Sequence, residues 1–377
     1  MNNRSWLVLV LLGGCGFAHA DAELQKFVDQ TLTEVRTRTN LPAVAALVQI
    51  DGNIEAQAAI GVRAVGQPKP VTFDDSWHLG SDTKAMTATL IAKLVEQGFL
   101  GFDDSMAKIF PGIAARMNPA LHDVTVAQLL NHTSGLPALT TAAEMPAFHA
   151  VIKAEKGLRA QRAALAVYYL SHRPASNVGE FSYSNLGYTI LGAIAEERTG
   201  RSWEELIREE VWKPLGIRHA GFGPPGHSGR YDQPLGHELR AGKYVPLDPE
   251  DEDSDNPPAV NPAGRVNMRL AEWLLFARDQ LDGEHGSGKL LKRESYQRLH
   301  RAVAHNYAMG WGILHDPDGS ISLLTHAGSN GYWVADVRII PKRNIILLIT
   351  MNAGGDAAEK ADRDIGKALQ DHLQALD

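Results

Sequence analysis

The sequence predicts an α/β fold of the α+β sandwich type, with one antiparallel sheet made from N- and C-terminal strands. Three observations predict it. Segments that read as strands gather at the two ends of the chain, at 43–50 and 54–62 and again at 307–314, 321–325, 332–340 and 344–351. The stretch between them, from about 81 to 300, reads mostly as helix and loop punctuated by Gly and Pro. An amphipathic helix stands at each end, at 22–39 and 356–376. Strands far apart in sequence would pair into a sheet flanked by the terminal helices, and the middle would form an inserted helical lobe. The expected division is 1–20 as a leader and 21–377 as one domain, with a sheet lobe of about 21–80 and 301–377 and a helical lobe of about 81–300.

Each element has its own signal. Leu24, Phe27, Val28, Leu32 and Val35 line one face of the first helix, and Pro42 follows it. Asp51-Gly52-Asn53 is a hairpin turn between the first two strands. Pro341-Lys342-Arg343-Asn344 is a turn between the last two. Residues 247–258 are acidic, contain proline and lack hydrophobic periodicity, so they read as a solvated loop. The loop lacks the central glycine and closing glutamate of an EF-hand, which argues against calcium.

Composition bounds the function. With 377 residues, 44% hydrophobic and 21% charged, the chain can bury a large core. A net charge of −7 with scattered Lys and Arg excludes a basic nucleic-acid footprint. Arg4, the apolar run 6–12 and Ala18-His19-Ala20 form a signal peptide pattern with cleavage after Ala20, which implies export to the periplasm or the outside. The run is too short to span a bilayer. Leu12-Gly13-Gly14-Cys15 also resembles a lipobox, so membrane attachment through a lipidated Cys15 is the alternative. Cys15 is the only cysteine, so the mature body has neither a disulfide nor a cysteine nucleophile.

The chemistry starts at Ser81. It lies in Leu79-Gly80-Ser81-Asp82-Thr83-Lys84, directly before an apolar-periodic helix that stops at Gly98. A spacing of three sets Ser81 and Lys84 on one face of the first turn. Free N–H groups at the helix start favour a developing oxyanion, and a partly dehydrated lysine can serve as base. Ser-x-x-Lys is short enough to occur by chance, and Ser81 could instead be an N-cap. Tyr183-Ser184-Asn185 precedes a second helix, expected at 186–197. Its phenol could take the serine proton, and Asn185 could hydrogen-bond Lys84 and a substrate carbonyl. Equally, Tyr183 could be a half-buried aromatic with a satisfied hydroxyl. A third element should come from a strand edge. His-x-Gly occurs at His219, His227 and His326, and only His326-Ala327-Gly328 ends an expected strand and leads into another. Backbone N–H groups of Ser81 and Ser329 would then form the oxyanion hole.

In this order and at these separations, Ser81-x-x-Lys84, Tyr183-x-Asn185 and His326-x-Gly328 resemble the serine β-lactamase-like superfamily. That superfamily includes class C β-lactamases, D-alanyl-D-alanine carboxypeptidases, D-aminopeptidases and related esterases. Residues 124–137 (VTVAQLLNHTSGLP), 179–188 (GEFSYSNLGY), 212–216 (WKPLG) and 262–265 (PAGR) extend the likeness from about 41 to 355. The resemblance implies a β-lactamase/transpeptidase-like fold and an acyl-enzyme on Ser81. Lys84 and Tyr183 would share proton transfer, with Asn185 orienting substrate, and no cofactor or metal is implied. The usual Lys-Thr-Gly is replaced by His326-Ala327-Gly328, which weakens a carboxylate anchor and points to neutral esters, amides or peptides. The expectation is an exported serine hydrolase acting on a small-molecule or peptide substrate. Two alternatives stay open: a low-turnover penicillin-binding D,D-carboxypeptidase or β-lactamase, and a non-hydrolytic peptidoglycan-binding sensor. An α/β-hydrolase is excluded because Ala327-Gly-Ser-Asn-Gly331 lacks the first glycine of the nucleophile elbow and precedes a strand. Zinc hydrolysis lacks a His-Glu-x-x-His, and His78 and His132 read as structural donors near the cleft.

Overall fold

The computed structural model describes residues 22–375. The expected signal peptide with its cleavage after Ala20, and Cys15, lie outside the described residues. Six strands form the main sheet: β1 (Ala43–Ile50), β2 (Asn53–Gly61), β3 (Gly312–His315), β4 (Ile321–Ser329), β5 (Val334–Ile340) and β6 (Ile345–Met351). Their order is β2-β1-β6-β5-β4-β3, and every neighbouring pair is antiparallel. The β1–β6 pairing runs from Val44 opposite Met351 to Ile50 opposite Ile345 and joins the two ends of the chain, as the sequence predicts.

Both faces of this sheet are covered, which is why β1 and β6 read as unbroken apolar runs. Val44, Ala46 and Val48 pack with Leu24, Val28 and Leu32 of α1 (Ala22–Thr39) and with Ile365 and Leu369 of the C-terminal helix (Asp356–Gln374). Ala43, Ala45 and Leu47 face the opposite core, beneath the helical lobe. The two terminal helices therefore share one side of the sheet. The β1–β2 turn has Asp51 and Gly52 both at positive φ, the I′ geometry that follows the twist of a hairpin.

Three expectations need correction. The strand expected at 307–314 begins only at Gly312, because His305 and Asn306 adopt positive φ and turn Tyr307 inward. The strand expected to stop at Thr325 continues to Ser329, held by the pairing of Val337, Asp336, Ala335 and Val334 with residues 326–329. Long-range pairing overrides the low strand propensity of Ala-Gly-Ser. The middle of the chain also holds a short sheet in which Val266–Arg269 lies between Ser76–His78 and Gly221–Phe222. That small sheet matters because it supports the turn that carries Ser81.

Candidate active site

Ser81 lies on a 3-10 turn, Gly80–Asp82, that leads into α2 (Thr83–Glu96). The N-cap of α2 is Asp82, and no side chain caps the helix, so Ser81 is not spent on capping. Thr83 locks the turn instead. Its hydroxyl donates to the Gly80 carbonyl (2.7 Å) and accepts from the Val266 N–H (3.0 Å), while the Leu79 N–H donates to the Val266 carbonyl (2.9 Å). α2 runs through the core, and Thr83 to Ala92 are all buried.

Lys84 is fully buried, and its Nζ meets three oxygens: Ser81 Oγ at 3.0 Å, Asn185 Oδ1 at 2.7 Å and the Ala263 carbonyl at 2.6 Å. The two carbonyl-type oxygens can only accept, so they fix two N–H bonds of the amine. The third position faces Ser81 and can hold a proton or a lone pair. Burial pushes the Lys84 pKa well below its ordinary value, with only the Asp82 charge opposing it. Burial thus favours the uncharged amine, the form that can take a proton from the serine hydroxyl. The Ala263 carbonyl belongs to the 262–265 segment, whose role could not be read from sequence.

The second motif is stitched in place by the 131–139 segment. The Ser182 N–H donates to the His132 carbonyl (2.7 Å), the Ser184 N–H to His132 Nδ1 (3.1 Å) and the Asn185 N–H to the Ala138 carbonyl (3.0 Å). Ser184 caps the helix α3 (Asn185–Thr199), accepting from the Gly187 N–H at 2.9 Å. The Asn185 Nδ2 group donates to the Leu139 carbonyl, which turns its Oδ1 towards Lys84. His132 and Leu139 both sit at positive φ, backbone strain of the kind that gathers at functional sites. Tyr183 packs on His132 with ring centroids 4.3 Å apart and planes tilted by 41°, and its ring lies 4.8 Å from Lys84 Nζ. Burial raises the Tyr183 pKa far above the ordinary phenol value, although its hydrogen bond to Ser81 works in the opposite direction. Tyr183 is therefore a neutral phenol at the serine.

β4 supplies the third wall. β3 ends opposite Thr325, so β4 continues past it with that edge open towards Ser81. The approach is close enough to exclude any Cβ. One added to Gly80 would lie 2.5 Å from the Ser329 nitrogen, and one added to Gly328 would lie 2.0 Å from the Leu79 carbonyl oxygen and 2.7 Å from the Ser81 nitrogen. Gly80 also has φ +52°. These two glycines bring the Ser81 and Ser329 backbones together. The other His-x-Gly segments stay apart: His219 pairs with Glu272 and His227 with Asp232, each with its side chain more than half exposed.

His326 does not line the pocket. It is buried on the face of β4 that carries Gly328, where its Nδ1 lies 3.8 Å from Asp82 Oδ1, its Nε2 lies 3.3 Å from the Tyr307 hydroxyl, and that hydroxyl lies 3.2 Å from His132 Nε2. His132 Nδ1 accepts from Ser184, so its Nε2–H donates to Tyr307, which in turn donates to His326. Burial holds the His326 pKa down at about 3, and burial likewise lowers His132. The histidine read as a substrate anchor is a neutral member of a buried chain.

A sequence model of the family described as Beta-lactamase matches residues 28–371. The chain belongs to the beta-lactamase family. Penicillin-binding protein 4 of Amycolatopsis lactamdurans is 30% identical over 335 residues, covering 85% of this chain and 83% of the relative. Protein flp of Staphylococcus aureus (strain MW2) is 25% identical over 352 residues, covering 92% and 67%. The crystal structure of a class C beta lactamase from Rhodobacter sphaeroides has a TM-score of 0.73 at 18% identity, covering 93% of this chain and 99% of that one, a likeness of fold.

In this beta-lactamase family chain the pocket beside Ser81 is lined by apolar and uncharged groups, chiefly Leu139, Met145, Phe148, Val260, Asn185 and Ser329. No cationic side chain lines it. The adjoining groove is edged by Glu250, Asp251, Glu252 and Asp253 with Lys153 among them, and shares Asn256 and Pro257 with the pocket. The acidic loop expected to be solvated is so only in part: Asp255 is turned inward, its side chain 2% exposed, against His78, Arg265 and Asn330. Nothing in the sequence separates Asp255 from its exposed acidic neighbours. Its partner Arg265, ten residues on in the 262–265 segment, is the one signal that could have found it.

Proposed function

We propose that this chain is a serine hydrolase that forms an acyl-enzyme on Ser81 and cleaves an ester, amide or peptide bond. The observation that carries this reading is the Lys84 environment. Two fixed acceptors orient the amine, and its third direction meets Ser81 Oγ at 3.0 Å.

Neutral Lys84 takes the hydroxyl proton as Ser81 Oγ bonds to the substrate carbonyl carbon. The oxyanion is held by the N–H groups of Ser81 and Ser329, brought together by the Gly80–Gly328 approach. As the tetrahedral adduct collapses, the bond to the leaving group breaks. The leaving atom takes a proton from Tyr183, and the proton that Lys84 took from Ser81 restores the phenol. Lys84 then activates a water, the acyl ester is hydrolysed and Ser81 regains its proton. Asn185 orients both Lys84 and a substrate carbonyl.

The substrate is one with an uncharged acyl group. His326 is buried and neutral, no cationic side chain among the described residues lines the pocket, and acids outnumber cations in the adjoining groove. A carboxylate in the pocket would find no counter-charge among the lining side chains and would lie beside a groove in which acids outnumber Lys153 and Arg265, so carboxylate-bearing β-lactams are poor substrates. Residues 1–20 act as a leader removed after Ala20 on export. A panel of p-nitrophenyl esters, D-amino acid amides, D-Ala-D-Ala peptides and a chromogenic cephalosporin tests the reading. Burst kinetics and turnover of a neutral ester, abolished in Ser81→Ala, are expected. Full activity in Ser81→Ala overturns the mechanism, and trapping of a fluorescent penicillin without turnover of any of these substrates favours the sensor alternative.

A further inference from the structure

The two N–H groups of the proposed oxyanion hole come from segments 248 residues apart in sequence, and their spacing must be held by something. A single carboxylate touches both segments. Asp255 Oδ2 lies 2.9 Å from His78 Nε2, three residues ahead of Ser81, and its Oδ1 accepts from Asn330 Nδ2 at 2.8 Å, one residue past Ser329. We propose that Asp255 is a positioning residue that clamps the Ser81 and Ser329 backbones at the separation an oxyanion requires. This rests on the acyl-enzyme reading above.

The links on either side are rigid. His78 is fully buried, and its Nδ1 accepts from the Gly80 N–H at 3.1 Å. That bond fixes the tautomer, so His78 Nε2 is the donor to Asp255. The chain from the carboxylate to the residue before the nucleophile is thus carboxylate, imidazole, backbone. On the other side Asn330 cannot turn its amide over, because its Oδ1 already accepts from the Tyr332 N–H at 3.0 Å. The Gly331 N–H donates to Ser329 Oγ and tightens the same turn.

Asp255 is itself anchored. Arg265 Nε donates to its Oδ2 at 2.8 Å, and Arg265 Nη1 donates to Asn261 Oδ1 at 2.9 Å. Asn261 Nδ2 donates to Glu204 at 2.8 Å, and Glu204 is held by the buried Arg162, which also pairs with Glu196. The clamp therefore ties the end of β4 and the nucleophile turn to an ion network inside the helical lobe. A simple Asp255–Arg265 pair would need neither His78 nor Asn330. The carboxylate faces three donors from three different segments, and two of those segments carry the oxyanion N–H groups. Burial disfavours the ionised form, but His78, Arg265 and Asn330 outweigh it and hold the Asp255 pKa at about 2. The clamp stays charged throughout the neutral range, so substitution is the useful perturbation.

Asp255→Asn leaves one acceptor for three donors. Its oxygen can serve His78 and Arg265, and its NH₂ then meets the NH₂ of Asn330, so the Asn330 link is lost. Adding Asn330→Asp restores that link with donor and acceptor exchanged, since the second carboxylate oxygen still accepts from the Tyr332 N–H. The test uses the full chain, with p-nitrophenyl acetate turnover, the inhibition constant of phenylboronic acid (whose tetrahedral adduct on Ser81 presents an oxyanion), a fluorophosphonate label and the melting temperature. Asp255→Asn is expected to lower kcat at least tenfold with KM within about threefold, and to weaken phenylboronic acid by the same factor. The double variant is expected to recover both to within about threefold of wild type. If Asp255→Asn fails to fold, Asn330→Ala removes the same link while leaving Asp255, His78 and Arg265 paired, and the same fall is expected. An unchanged kcat in Asp255→Asn or Asn330→Ala overturns the clamp, as does a folded double variant that recovers nothing. Failure of the wild-type chain to take the label overturns the acyl-enzyme reading and this assignment with it. A labelled wild type beside an unaffected Asp255→Asn overturns this assignment alone.

Discussion

Gly328→Ala is the smallest change that should damage the site without touching a polar group. The added methyl would sit 2.0 Å from the Leu79 carbonyl oxygen, 2.7 Å from the Ser81 nitrogen and 2.8 Å from Asp82 Oδ2. Real Cβ contacts essentially never fall below 3.0 Å, so the β4 backbone must withdraw from the nucleophile turn by about 1 Å or more. All three obstructing groups are backbone or buried carboxylate, and none can rotate aside. Ser329 follows Gly328 on the same strand, so its N–H withdraws with it.

Loss of one oxyanion donor typically costs a factor of about 10² to 10³ in kcat, or about 3–4 kcal/mol of transition-state stabilisation. Overpacking a tight contact typically costs about 1–3 kcal/mol of folding stability. The two effects are separable with a distant control. A methyl on Gly283 would lie 2.4 Å from the Tyr296 ring, an overpacking of similar severity that involves no group of the active site. Ester hydrolysis and urea unfolding should be measured on both variants. Gly328→Ala should lose about a hundredfold or more in kcat with KM little changed, whereas Gly283→Ala should lose stability and keep its kcat per folded molecule. A Gly328→Ala enzyme with kcat within about threefold of wild type would refute the oxyanion assignment.

Burial places the Lys84 pKa well below 10.5, so kcat/KM for a neutral ester should rise with pH through that lowered value and level off before an ordinary lysine would deprotonate. Lys84→Arg, which cannot deprotonate, should be inactive, and an alkaline midpoint near 10.5 would contradict the assignment. A third expectation concerns stability. The Asp362 carboxyl is pushed up to about 8, from an ordinary 3.8, by burial and then by Asp336 beside it. The folded chain therefore holds a proton between about 4 and 8 that the unfolded chain releases, and stability should fall as pH rises through that window. Asp362→Asn should flatten this slope in urea titrations at pH 5 and 8, and an unaltered slope would show that another group carries it.

How much of this was legible in the sequence depended on the range of the interaction. Ser81 and Lys84 could be paired because one helical turn brings them together, and the first helix and the Asp51-Gly52-Asn53 turn carried equally local signals. The β1–β6 pairing was inferred from strand placement at the chain ends. What stayed hidden was contact across the chain. Tyr307 looked like the start of a strand, yet it is turned inward and bridges His132 and His326. The Ala263 carbonyl has no side chain by which sequence could mark it as an acceptor for Lys84. Asp255 lay unmarked in an acidic loop. His326 was found for a sound reason and given a different task, because only contacts with Asp82 and Tyr307, distant in sequence, show that its ring is buried.

That change of task for His326 divides the chemistry differently from the sequence reading. Sequence alone allowed Tyr183 to take the serine proton and act as the base. The environment disfavours both a phenolate and an ammonium. Burial raises the phenol and lowers the amine, and the nearest ring systems, His132 and Tyr307, bring no cation to support a phenolate. His326 is held neutral, so the third wall supplies no cation either. A neutral amine beside a neutral phenol has one consistent use: the amine takes the serine proton and the phenol gives one to the leaving group. A lysine at position 326, the residue usual in β-lactamases and carboxypeptidases, would put a positive charge near both groups. It would favour phenolate, and a phenolate beside Ser81 brings Tyr183 back as the base. His326 therefore bears on which group acts as the base as well as on which substrates are anchored.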